Sequence, residues 1–368
     1  MNFNFPDKKK RESIWIKLGL GAIVVRILFV FKPTWCEAIY ARGIFPWIRS
    51  FFDHTLGLLP FAAIYVFDVI LVLWLIRIST RFVKRVFIQK EGVRGQGYGK
   101  SLLAFFMGLI FWFLFLWGYN YARVPMAEQI GLELPESMKF NPIWNEAMYI
   151  KKTCIEARQE IPNLDTNAIT AAAYPDDLEE VMRSSLKEVL KEYGYDYRGH
   201  VRGRFVQPKG VLLHFNSSGV YFPFTGEGHV DDGLHPVSKP FTIAHELSHG
   251  YGFGSEDVCN FLGFLACVRS DNPAIRYSGY LMYWRYVYGS LKEFMTEENY
   301  QTERATISRG MYNDMEATYA TLDRYPALIP FLQPAIYDVF LKVQGVEDGI
   351  ESYDRMILLV SSWRKKYQ

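Results

Sequence analysis

The stretch PFTIAHELSHGYGFGSEDVCNFLGFLAC, residues 240–267, decides how the chain is read. Its centre is His245-Glu246-Leu247-Ser248-His249. On a helix, residues four apart lie on one face, so both imidazoles reach one metal ion. Glu246 then lies to one side, placed to take a proton from a water rather than to join the ligands. Ile243, Ala244 and Leu247 supply an apolar back for this helix, and Gly250, Gly252 and Gly254 end it. A catalytic zinc site takes three protein ligands and leaves one position open. The best third ligand is Glu256, because the glycine-rich turn lets the chain fold back and Ser255 caps a second helix, 256–267. Asp257, Glu227, His229 and His235 are the other groups able to fill that place.

Around this centre the chain falls into two unlike parts. Of 368 residues, 50% are hydrophobic and 22% charged, which excludes a mainly disordered chain. Three apolar runs, 14–31, 58–76 and 101–121, read as transmembrane helices in an anchor of residues 1–124. Residues 125–368 read as a globular domain. Basic residues precede the first run and fill the segment 77–100, whereas few lie between the first two runs. Positive charge favours the cytoplasmic side, so three crossings predict a cytoplasmic N-terminus and an extracytoplasmic domain on the cytoplasmic membrane. Asp68 is the one acid within these runs and reads as a partner for Arg26 or a turn against a neighbouring helix. A net charge of +2 and the absence of a basic, aromatic-interleaved patch outside one loop between apolar runs argue against a nucleic-acid partner. The four cysteines have no CxxC spacing, so neither a disulfide framework nor a cysteine-zinc site is expected.

In the second part, 176–193 has the apolar stripe of an amphipathic helix. Residues 209–225 read as two strands around Asn216-Ser217-Ser218-Gly219, with Pro223 marking a sheet edge. Val220–Phe224 is therefore a place where an extended peptide can add as a strand. Beyond 239 the pattern is helical. The expected class is α+β: an anchor of three helices, then a mostly helical domain with a small sheet. An anionic tetrahedral intermediate also needs a hydrogen-bond donor. Tyr277, in Arg276-Tyr277-Ser278-Gly279-Tyr280, is the choice; Tyr280, His229 and His235 are its rivals.

The motifs GVYFPFTGE (219–227), 240–267, RYSGY (276–280) and LKVQGVEDGIESYDRM (341–356) resemble a bacterial family known mainly as a domain of unknown function. That resemblance implies a three-helix membrane protein with a zincin-like domain. More distantly, Glu256-x-x-Cys259-Asn260 is similar to the Glu-x-x-Ala-Asp element of membrane-embedded gluzincin peptidases. It implies Glu256 as the third zinc ligand and Asn260 as a group orienting a histidine. Cys259 replaces the alanine and reads as a small buried residue; Asn260 replaces the aspartate and brings no charge. The expected function is a membrane-anchored zinc metallopeptidase, with Zn2+ as cofactor, Glu246 as general base and a peptide or protein as substrate. The alternative is a zinc-containing, inactive sensor that binds a peptide or wall fragment. The least specific reading is a structural membrane protein carrying the motif by accident.

Overall fold

The computed structural model describes residues 8–84, 98–137, 139–328 and 355–367. Most of the basic segment 77–100 and of the motif 341–356 lies outside the described residues. The chain divides into two units: Met1–Arg123 with Phe222–Thr225, and Val124–Tyr221 with Gly226–Gln368.

In the first unit, α1 (Lys8–Phe31) is followed by α2 (Phe45–Asp53), α3 (Ile64–Val83) and α4 (Tyr98–Leu116). Helices α1 and α4 pack along their length. Gly19 makes this possible: a Cβ there would stand 2.5 Å from the Met107 carbonyl oxygen. Small residues at such crossings let helix backbones approach closely. Between α1 and α2 the chain is not an open loop. Cys36–Ile44 winds as a π-helix, and Tyr40 donates its hydroxyl to the Phe115 carbonyl at 2.7 Å. Glu37, buried, accepts from Arg123 at 2.9 and 2.7 Å.

The expectation of three spans is corrected here. Among the described residues two helices, Lys9–Phe31 and Gly99–Leu116, are long and apolar enough to cross a membrane. The middle helix begins at Ile64 rather than Leu58, because Leu56–Ala63 turns, and it therefore takes in Arg77 and Arg81 besides Asp68. Asp68 is exposed on α3 and forms no pair with Arg26. The extracytoplasmic placement of the second unit rests on that third crossing.

Among its described residues the second unit is mostly helical with one three-stranded sheet, so the α+β class holds. Its long helices are α5 (Phe140–Gln159), α6 (Leu178–Glu192), α7 (Lys239–Gly250), α8 (Glu256–Val268), α9 (Pro273–Leu291), α10 (Glu297–Arg304), α11 (Arg309–Leu322) and α12 (Arg355–Tyr367). Helix α6 forms for the reason its sequence gives: Leu178, Met182, Leu186, Val189 and Leu190 lie on one stripe and are buried. Helices α7 and α8 form the centre, with α6, α9 and α12 packed around them. Each buried apolar side chain of this core contributes roughly 1.5–3 kcal/mol relative to exposure.

The sheet has the order β1-β3-β2, with β1 Gly203–Val206, β2 Gly219–Phe222 and β3 Glu227–Asp231. Strands β1 and β3 run parallel, pairing Gly203 with Gly228 and Val206 with Asp231. Only the second of the two strands expected in 209–225 forms. Residues 210–215 are held in turns instead, because Asp231 accepts from the backbone N–H groups of Gly210 and Leu212 at 2.7 Å and of Leu213 at 3.2 Å. Strand β2 ends just before Pro223 and stands at the sheet edge.

Candidate metal centre

Helix α7 carries His245, Glu246 and His249. It stops at Gly250, and Gly252, at φ +89°, turns the chain toward α8. The Phe253 N–H returns to the Ser248 carbonyl at 3.2 Å and the Gly252 N–H to His249 at 2.9 Å, which closes the helix end. Ser255 precedes α8, but its hydroxyl donates to the Asp257 carboxylate rather than capping a backbone N–H. Glu256 thus opens α8 beside the two histidines.

Three ligand atoms converge. His245 Nε2 lies 3.1 Å from His249 Nε2 and 3.2 Å from Glu256 Oε2, and His249 Nε2 lies 3.6 Å from Glu256 Oε1. The outward nitrogens are already engaged. His245 Nδ1 donates to Asn260 Oδ1 at 2.8 Å, and His249 Nδ1 to the Phe253 carbonyl at 2.8 Å. With both Nδ1 atoms protonated, both Nε2 atoms present lone pairs. Two imidazole nitrogens and a carboxylate then face one another, an arrangement that either a proton shared with Glu256 or a cation completes. The three residues can hold a metal ion, their ligand atoms all lying within 4.8 Å of one another. The donor set, two imidazoles and one carboxylate, suits zinc.

Electrostatics follow the same geometry. Burial alone would lower the His245 imidazole, but the hydrogen bond and charge of Glu256 outweigh it and hold the group at about 9. The negative charge that favours a proton on His245 favours a metal cation there in the same way. Burial pushes His249 down to about 4. Burial likewise pushes the Glu246 carboxyl up to about 8. Its Oε2 is buried and has no hydrogen-bond partner. Buried polar atoms are nearly always paired, so this orphan is informative.

Glycines seat Glu246. A Cβ on Gly219 would stand 2.5 Å from Glu246 Oε1, and one on Gly228 would stand 2.6 Å from Glu246 Cβ. Strands β2 and β3 approach α7 closely because these positions lack side chains. Sequence reasoning places Gly219 only in a turn and misses Gly228; the available signal is glycine inside short strand-like runs, which marks close backbone approach. It also misses Tyr221, whose ring centroid lies 6.4 Å from that of His249.

The rival third ligands lie elsewhere. His235 Nδ1 accepts from the Val237 N–H at 3.4 Å, and Asp257 pairs with Ser255 and, at 3.7 Å, with Arg355. His229 is fully buried 3.6 Å from Glu227, which in turn holds Arg204 at 2.9 Å. Cys259 is buried with its sulfur 3.3 Å from His249 Nδ1, the nitrogen facing away from the ligand cluster. Tyr277 is not brought to the centre. Its hydroxyl, fully buried, donates to Asp314 at 2.6 Å, so it is committed to the core and does not serve as the expected oxyanion donor. Tyr280 packs edge-on against Phe264.

No curated protein and no solved structure matches the chain. A family model described as "Protein of unknown function (DUF3810)" matches residues 40–361. That span takes in the ligand cluster and most of both units, and the chain belongs to this family.

Proposed function

We propose that the protein is a membrane-anchored zinc metallopeptidase. One observation carries the reading: the ligand-type atoms of His245, His249 and Glu256 converge within 4.8 Å of one another, and a buried carboxylate whose Oε2 has no hydrogen-bond partner, that of Glu246, lies beside the two histidines on α7. Zinc held there would supply a Lewis acid that polarises a carbonyl and makes a water more acidic. Asn260 and the Phe253 carbonyl fix the imidazole tautomers and ring orientations. Glu246 takes the proton from the attacking water and delivers it to the leaving amine. The substrate peptide adds as a strand along the β2 edge, which brings a carbonyl toward Gly219 and Glu246.

The side of the membrane turns on the number of crossings. The basic first turn of α1, Lys8, Lys9, Lys10 and Arg11, favours a cytoplasmic N-terminus. An even number of crossings leaves the second unit on that side and an odd number puts it opposite; a reporter fused after Val124 reads this directly. The activity is tested on the full chain in detergent with casein as substrate. Hydrolysis is expected, lost on treatment with 1,10-phenanthroline and restored by added zinc. Stoichiometric zinc without hydrolysis of casein or of a mixed peptide library would reject the peptidase and leave a zinc-holding sensor.

A further inference from the structure

A second site-like feature lies away from the ligand cluster, among α9, α10 and α11. A cleft of about 340 Å³ opens there, a size within the range of small-molecule sites. Trp284 and Tyr288 are buried in it, with ring centroids 4.3 Å apart, and Tyr300 and Tyr319 also line it. Two arginines, Arg285 and Arg304, are also part of the lining. Both are half-buried. Among the described residues neither guanidinium has a carboxylate partner. Arg285 lies over the Tyr319 ring at 5.8 Å, and Arg304 ends α10. The nearby acid does not neutralise them: Glu303 accepts from Tyr288 at 3.1 Å and is paired with Lys151.

Partly burying a guanidinium removes hydration that only an anion or strong acceptors replace, and the guanidinium stays charged at any accessible pH. Aromatic faces beside it offer stacking surface for a ring. We propose that this cleft binds a small organic anion, a carboxylate or phosphate carried on a flat ring. The ring lies against Tyr300 and Tyr319 over the Trp284–Tyr288 floor, and Arg285 and Arg304 hold the anionic group. The site stands on its own residues and does not depend on the peptidase reading.

The test is calorimetric titration of the full chain in detergent with indole-3-acetate and with phenyl phosphate, which separate carboxylate from phosphate. The neutral indole-3-acetamide and inorganic phosphate are the controls. At least one ring-bearing anion should bind, with the neutral amide or the bare phosphate weaker by about tenfold or more. Arg285→Gln and Arg304→Gln should each weaken binding by a similar factor while metal content stays unchanged. Failure of both ring-bearing anions to bind overturns the proposal. So does equal binding of acid and amide, equal binding of phenyl and inorganic phosphate, or unchanged affinity in both variants. The acid–amide comparison on the unaltered protein is decisive even if a variant fails to fold.

Discussion

Two of the polar clusters buried in the second unit differ in whether their hydrogen bonds close. In one, Asp314 accepts from Arg158 Nε at 2.7 Å, from the Tyr277 hydroxyl at 2.6 Å and from the Ile169 N–H at 2.7 Å. Arg158 also donates to the carbonyls of Asp165 at 2.7 Å and Asn167 at 2.6 Å. Donors and acceptors match, the charges pair, and the cluster ties α5, α9 and α11 together. In the other, two imidazole nitrogens and a carboxylate crowd within 3.1 to 3.6 Å of one another, and the neighbouring Glu246 Oε2 has no partner. A closed cluster holds a fold; an open one, kept buried at a cost in stability, points to something that binds. Residue type does not separate them, since both contain a carboxylate beside a strong donor or ligand. Completeness does.

This contrast can be broken or sharpened by substitution. The largest expected effect is on chemistry. Glu246→Gln keeps shape but cannot take a proton, so peptide hydrolysis should fall by about 10⁴-fold, roughly 5 kcal/mol, with zinc still bound. Comparable turnover in that variant would remove Glu246 from the mechanism. Next comes the closed cluster. Asp314→Ala leaves Arg158 buried without its partner and should cost about 3–5 kcal/mol in thermal or denaturant unfolding. A loss under about 1 kcal/mol would mean the cluster is not what ties these helices.

Zinc affinity ranks Glu256 and Asn260 of α8. Glu256→Gln removes a ligand charge and should weaken zinc by more than the ~10–100-fold expected for Asn260→Ala, which only frees the His245 ring. Competition titration with a chelator reads the order, and the reverse order would move Glu256 out of the ligand set. The smallest effect is expected from Tyr277→Phe. It deletes one of several donors to Asp314 and should cost about 1 kcal/mol of stability. Hydrolysis should be unchanged; a strong fall in turnover at full stability would return Tyr277 to the active centre.

The ligand cluster is legible in the sequence because its signal is local. His245 and His249 are one helical turn apart, and the glycines after them make a turn that short-range rules recognise. Glu256 follows from the helix that this turn must start, whereas Asn260 enters only through the resemblance to the gluzincin element. Tyr277 misleads for the opposite reason. Its partner Asp314 is 37 residues away, and no pattern near Tyr277 announces it. The expected strand at 209–215 fails in the same way: local β propensity loses to Asp231, whose carboxylate gathers the backbone of that segment from outside it. The middle apolar run misleads at its edges. Its hydropathy is right for a span, but the helix begins later and runs into Arg77 and Arg81, so length and charge no longer agree. Gly219 and Gly228 carry information that only the tertiary approach of Glu246 makes readable.

The central claim is that His245, His249 and Glu256 form one zinc centre. Elemental analysis of the purified full chain, beside His245→Ala and His249→Ala, tests it most directly. One zinc per unaltered chain, and loss of that zinc in both variants with the fold intact by circular dichroism, is the expected result. An unaltered chain that takes up no zinc when the metal is supplied, or variants that both keep it at full stoichiometry, would contradict the account.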